Sequence, residues 1–343
     1  MKKLAILTAL VITGITSVTF MLGFTKEDDQ LVNLPGIELN DTLGHIDSDI
    51  ENKLFIGVEE NSTEQKKEFI KWVDFNPSAK IIERAQKAHK EFVKLKVMED
   101  IGTCELLAYL AIQNGNKFSL KTDTTTLNKI VNELKQGDRS RFDKTKDNKW
   151  YKRHVESFHA ALDGIICKKT GTTTGVHPIA KGFWTSGYDD FGTSRSYGYK
   201  RRHLGHDLFG STGTPIMAVE GGIISELGWN RFGGWRVGIR SECGTRYYYY
   251  AHLRKGKPYP EELKIGDKVN SGQLIGWLGN TGYSRKPNVN MTSGKPHLHF
   301  GMQLIFDESQ EDGVGEIWID VYQICKFLEH HKITVPKIET PAG

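Results

Sequence analysis

Apolar and polar positions divide the chain into stretches of different period. Leu4 to Phe24 is an uncharged apolar run, preceded by Lys2-Lys3 and followed by Lys26-Glu27-Asp28-Asp29. As a helix it would span about 30 Å, enough to cross a bilayer. The lysines ahead of it would stay in the cytoplasm, which places everything after Phe24 outside. A cleaved signal segment is the rival reading, although no small-residue cleavage site ends the run. Residues 1–24 are therefore expected to be a transmembrane anchor or signal segment. The rest would be an extracytoplasmic body held by a single span, or a protein secreted to the cell wall.

Residues 25–75 are polar and acidic, with turn signals at Pro35-Gly36 and Asn61-Ser62, and read as a spacer. A short amphipathic stretch from Lys66 to Trp72 ends it. From 76 to 170 the period is helical. Pro77 suits a first helical position, and Ile81, Ile82, Ala85 and Ala88 follow at helical spacing. Glu105 to Ile112 reads as a strongly apolar helix that stops at Asn114-Gly115. Thr124-Thr125-Thr126 would cap a helix through Leu134, and Trp150 to Ile166 would be the last, carrying His154 and His159 as surface or packing residues. This makes a small all-α domain.

After about His177 the pattern changes again. Short β-branched runs alternate with turns: Pro215–Val219, Gly222–Ile224, Trp235–Ile239, Tyr247–Tyr250 and Gln273–Leu278. Such spacing predicts a mainly antiparallel β domain over 175–330. Alternation along Tyr247–Tyr250 sends two of the four rings to the core. A helix over Val321–His330 would close the domain, with 331–343 a flexible tail.

The composition is that of an ordinary globular protein, and a net charge of +4 on 343 residues gives little support to nucleic-acid binding. Cys104, Cys167, Cys243 and Cys325 lie far apart, without the Cys-x-x-Cys spacing of a structural zinc or redox site. They suit buried small side chains, or one or two disulfides in an exported chain.

Candidate chemistry sits in three histidine motifs of the β region: His203-Leu204-Gly205-His206-Asp207, Tyr250-Ala251-His252-Leu253 and His297-Leu298-His299-Phe300. Together they hold donors for a catalytic zinc site with three protein ligands and a position for water. In a straight strand His203 and Asp207 would stand about 13 Å apart. They can share a metal only if the chain bends between them, and Gly205 is the residue that would permit it. His297 and His299 face one side of a strand, so one can bind the metal while the other sits beside the water. Two His and one carboxylate would also suit iron.

The ordered set of motifs resembles the lysostaphin/LytM-type zinc endopeptidases. The likeness runs from about Ile179 to Ile324. It includes Gly213-Thr214-Pro215-Ile216-Met217-Ala218, Gly266-Asp267-Lys268-Val269, Gly272-Gln273-Leu274-Ile275-Gly276 and Gly279-Asn280-Thr281-Gly282. It implies a twisted antiparallel sheet, one Zn2+ on His203, Asp207 and His299, and a catalytic pair, His252 and His297. The implied activity is hydrolysis of peptide cross-links or stem peptides of bacterial peptidoglycan. His206 is left as a neighbour of the ligands or an exposed residue, and Asp189-Asp190 as a turn. Arg285 to Lys295 is longer than the family pattern leads one to expect and would sit at the groove mouth. Tyr188–Ser194 would form the opposite wall, and Lys200-Arg201-Arg202 a solvated run.

Leu106–Gly115 faintly resembles the acid-bearing helix of lysozyme-like transglycosylases, but Gln113 and Asn114 stand where a glutamate would be needed. An amide cannot supply a general acid's proton. The helical region is thus expected to be a spacer or docking module, with a protein partner as one candidate for it. The alternative to an enzyme is a membrane-anchored, non-catalytic scaffold or activator on the same fold. Scaffolds of this fold often lack one or more ligands, and here the full set is present.

Overall fold

The computed structural model describes residues 69–195, 200–310 and 313–335. The apolar run Leu4–Phe24, the spacer up to residue 68 and the tail from residue 336 lie outside them. Among the described residues no helix is long and apolar enough to cross a membrane.

Among the described residues five helices come first: α1 (Ala79–Leu95), α2 (Thr103–Asn114), α3 (Leu120–Lys135), α4 (Ser140–Lys146) and α5 (Tyr151–Leu162). α2 is the hub, with Leu106 through Ala111 all buried, and it packs against α1, α3, α4 and α5. A helix apolar on every side belongs in the interior. Gly115 ends it with φ +61°, a left-handed cap without steric cost for glycine.

The helical boundaries differ from the sequence expectation in three places. α3 starts at Leu120, four residues before Thr124, because Asp123 reaches back to accept a hydrogen bond from the Ser119 amide at 2.5 Å. Thr124–Thr126 are therefore helical interior and cap nothing. α4 was not anticipated, since seven residues are too few for a period to show. α5 stops at Leu162, short of Ile166, which pairs in a β-bridge with Thr173.

The β region forms around a seven-stranded antiparallel sheet. Its strands are β3 (His206–Phe209), β5 (Gly222–Asn230), β6 (Gly234–Ser241), β7 (Arg246–Ala251), β8 (Lys268–Val269), β10 (His297–Leu304) and β11 (Ile317–Ile319). The order is β11-β10-β7-β6-β5-β8, and β3 shares with β11 the edge of β10 away from β7. Two small pairs accompany it, β1 (Ser194–Arg195) with β2 (Arg201–Arg202) and β4 (Pro215–Met217) with β9 (Leu274–Trp277). After the sheet comes α6 (Tyr322–Leu328), the sixth helix among the described residues, which continues as a 3-10 turn to His331.

One face of the central strands is buried. Tyr248 and Tyr250 point into the core beside Phe300, with ring centroids 6.2 and 5.2 Å from it. Tyr247 and Tyr249 point the other way, the period-two split expected of a strand. Helices and sheet share a continuous core within one compact unit. Their junction is polar: Arg246 of β7 donates to both Glu220 carboxylate oxygens at 2.7 and 2.9 Å and to the Ala160 carbonyl of α5 at 2.9 Å. The Tyr248 hydroxyl donates to the same carboxylate at 2.7 Å. All four cysteines are free thiols, Cys104 and Cys325 buried and Cys243 exposed.

Candidate metal centre and its histidines

Register assembles the centre. β10 runs antiparallel to β3 with His299 opposite Asp207, and antiparallel to β7 with His299 opposite Ala251, the residue before His252. Directly opposed residues share a face of the sheet. His297, two residues before His299, joins that face. His203 lies just ahead of β3 and is brought back over Asp207 by a bend at Leu204-Gly205, as the spacing required. Gly205 has an ordinary negative-φ backbone, so its service is proximity. A Cβ there would stand 2.7 Å from the His299 ring and from the Phe300 carbonyl.

His203 Nε2, Asp207 Oδ1 and His299 Nδ1 converge, at separations of 2.8 Å between the imidazoles and 2.9 and 3.1 Å to the carboxylate. In a tetrahedral site with bonds of about 2 Å, ligand atoms lie about 3.3 Å apart. Small outward movements of these side chains would seat a zinc ion. The donor set is also right, two imidazoles and one carboxylate. Burial works against ionised Asp207, yet the hydrogen bonds to His203 and His299 hold it well below the usual carboxylate range. It is therefore an anion at neutral pH. His203 is buried too, but its contacts with Asp190 and Asp207 lift it to about 9, so a cation arriving here displaces a proton.

Second contacts fix the ligands. Arg195 donates to Asp207 Oδ2 and to Asp190 Oδ2, both at 3.0 Å, which leaves Asp207 Oδ1 for the centre. His203 Nδ1 lies 3.1 Å from the Asp190 carbonyl and 3.2 Å from its carboxylate, so it carries the proton and turns Nε2 inward. Sequence reasoning missed this part of Asp190. It read Asp189-Asp190 as a turn, and nothing local signals that Asp190 is buried 1% exposed behind a histidine thirteen residues on. His206 is buried as well, against Asp190 and with its ring 5.1 Å from Tyr322, which removes the exposed reading.

The other two histidines stand beside the cluster. The His252 ring is 4.8 Å from His297 and 6.0 Å from His299, and His297 Nε2 is 3.8 Å from Asp207 Oδ1. Each donates from Nδ1 to a carbonyl at 2.8 Å, His252 to Thr281 and His297 to Lys295. A carbonyl only accepts, so both rings keep a proton on Nδ1, and the neutral form of either has its lone pair at Nε2. Burial, reinforced by His297 and His299, pushes His252 well below the usual histidine range, so it is neutral. His252 sits at φ +62°, an uncommon backbone state for a residue with a Cβ. Gly279-Asn280-Thr281-Gly282, expected to be a turn, is instead an extended segment with bridges from Gly279 to His297 and from Thr281 to Asn290, and it delivers the Thr281 carbonyl. A Cβ on Gly282 would collide with the Phe232 carbonyl and lie 3.0 Å from His252 Nδ1.

A groove of about 670 Å³ opens from His299 along the outer face of the sheet, lined among others by Tyr247, Tyr249, Arg236, Arg240 and Trp318. Arg236 is paired with Glu226 at 3.1 Å, and Trp318 lies 6.1 and 6.3 Å from the two tyrosine rings. Arg285–Lys295 and Tyr188–Ser194, expected at its mouth and wall, supply none of its lining. Arg201, expected to be solvated, stacks between Phe232 and Tyr283 at 4.9 and 5.1 Å.

Residues 201–311 match the model of peptidase family M23. An L-Ala--D-Glu endopeptidase of Bacillus subtilis is 42% identical over 144 residues, 41% of this chain and 40% of the relative. Glycyl-glycine endopeptidase ALE-1 of Staphylococcus capitis is 40% identical over 99 residues, 29% of this chain and 24% of its own length. The match thus spans well under half the length of these relatives. A crystal structure of lytM from Ruminococcus gnavus aligns over 75% of this chain and 89% of its own with a TM-score of 0.51 at 22% identity, a likeness of fold. On geometry and sequence together, the chain carries a peptidase family M23 domain over residues 201–311.

Proposed function

We propose that the domain is a zinc-dependent endopeptidase acting on the peptides of bacterial peptidoglycan. The observation that carries this is the convergence of His203, Asp207 and His299 with two further imidazoles whose Nε2 lone pairs are free beside them. Zinc bound by the three ligands would supply a Lewis acid and a water of pKa near 7. His297 then acts as the general base: its Nε2 accepts a proton from the attacking water and returns it to the leaving amine. His252, neutral and with Nδ1 committed to Thr281, accepts a hydrogen bond from that water and orients it; in this tautomer it cannot donate to an oxyanion. A scaffold role would need none of these five residues in register.

The groove adds a preference. Arg236, Arg240, Glu226 and Glu316 line it, already held by one another and by their neighbours, and a charged stem peptide complements such a lining better than a run of glycines. The L-Ala–D-Glu bond named for the Bacillus subtilis relative is the stem-peptide bond that fits this reading. The uncharged apolar run Leu4–Phe24, read as an anchor or signal segment, supports a site of action outside the cytoplasm.

The test exposes the zinc-loaded protein to peptidoglycan sacculi of several chemotypes and reads released fragments by mass spectrometry. New amine termini at stem-peptide bonds, absent with His299→Ala, are expected. Stoichiometric zinc with no release from any chemotype would favour the scaffold. Release only at glycine bridges would remove the stem-peptide preference.

A further inference from the structure

The helical layer holds a second concavity, of about 390 Å³, that the peptidase chemistry does not use. Trp72 and Trp150 border it and stay 56% and 46% exposed, unusual for the largest apolar side chain. Trp72 is held in place by Arg153, whose guanidinium lies 4.2 Å from the ring and donates to the Trp72 carbonyl at 3.0 Å. The polar lining comprises two amides, Asn116 and Asn148, an imidazole, His154, and also Asp74, Arg153 and Ser157. Asn116 Oδ1 has no hydrogen-bond partner among the described residues.

We propose that this concavity binds the amino-sugar backbone of the glycan strand, an inference that rests on the peptidoglycan reading above. A pyranose has apolar C–H faces and a rim of hydroxyl and acetamido groups. Exposed indole rings suit the faces, and side-chain amides, which both donate and accept, suit the rim. The volume lies in the range of small-ligand sites. Flat protein surfaces have less use for such a recess. The site binds without cutting. Asp74 is the only carboxylate of the lining, whereas glycoside hydrolysis generally takes two. Gln113, an amide in any case, donates to Thr145 at 3.1 Å. The glycan would hold the enzyme on the polymer whose peptides reach the metal centre.

The full chain is titrated with the β-1,4-linked tetramer of N-acetylglucosamine and with peptide-free glycan strands, by calorimetry and tryptophan fluorescence. Trp150→Ala and Trp72→Ala should each weaken binding at least about tenfold, and Trp150→Phe, which keeps a ring, should weaken it less. All three should cleave a short soluble stem peptide as the parent does. Absence of saccharide binding by the parent, or equal binding by the alanine variants, overturns the proposal. Peptide cleavage without saccharide binding would remove this site alone. Saccharide binding without cleavage would remove the peptidase reading and leave the site without its rationale on peptidoglycan.

Discussion

Asp207 of β3 and His299 of β10 stand directly opposite each other, with His299 Nδ1 3.1 Å from Asp207 Oδ1. The convergence of these donors into a candidate metal centre is therefore a consequence of strand register. A slip of one residue would send one partner to the opposite face. Any change that moves the His299 ring should be read first in metal content.

Gly205→Ala should therefore act as a metal-site mutation although it removes no ligand. The new Cβ meets the His299 ring and the Phe300 carbonyl, neither of which can move without disturbing β10. Zinc per chain, measured by atomic absorption after dialysis, should fall nearly as far as with His299→Ala. Full occupancy in Gly205→Ala would show that β10 can yield.

Asp190→Asn should retain zinc but bind it more weakly. Outer partners of ligating histidines commonly contribute about 10–100-fold in affinity. The affinity is read by competition with a chelator. An unchanged affinity would mean that the Asp190 carbonyl alone orients His203.

His297→Ala and His252→Ala should keep a full complement of zinc and lose turnover. Removal of a general base costs roughly 10²–10⁴ in rate, so His297→Ala should be the slower of the two. Fragment release per unit time, normalised to zinc, distinguishes them. Full activity in His297→Ala would assign the base to another residue.

Glu220→Ala should destabilise the fold by about 3–5 kcal/mol, because it leaves Arg246 buried without its carboxylate. Burial alone would lower Arg246, and Glu220 is the main group that raises it. Urea denaturation followed at both tryptophan and far-ultraviolet signals is the measure. A loss under about 1 kcal/mol would indicate that water reaches the guanidinium.

His159 of α5 provides a pH test far from the metal. Burial disfavours its charge, but contacts with Asp163, Cys104 and Glu105 raise it from 6.5 to about 12. A raised folded-state value means the stabilisation is complete below pH 6.5 and is lost progressively as pH rises toward 12. Stability between pH 7 and 10 should fall, by at most about 1.4 kcal/mol per pH unit and by less with solvent screening. His159→Gln should flatten the slope. An equal slope in that variant would place the titration elsewhere.

The sequence offered the five candidate residues through the family resemblance; strand parity and the His203–Asp207 bend say that they can meet, and leave open which imidazole would bind a metal. Tyr247–Tyr250 split between core and groove by the same parity. Asp190, Arg195 and Thr281 could not be found this way. Their contribution depends on loops that meet the site through space, and a carbonyl such as that of Thr281 leaves no mark on residue type. The Ser119–Asp123 cap was hidden behind the more conspicuous threonines at 124–126. His159 was read as a surface or packing residue, because its carboxylates come from Asp163, just past the end of α5, and from Glu105 of α2.

The carbonyls that set the tautomers of His252 and His297 belong to Thr281 and Lys295, the two ends of one connection. Its length and its chemistry are thereby tied together. For anyone exchanging this connection with that of another enzyme, the graftable part lies strictly between those anchors. Within it, Asn288 already accepts from the Trp235 indole and the Gly256 amide and acts as a third pin. A transplant that respects all three could change the surface beside the two histidines while leaving the Nδ1 contacts of both imidazoles intact.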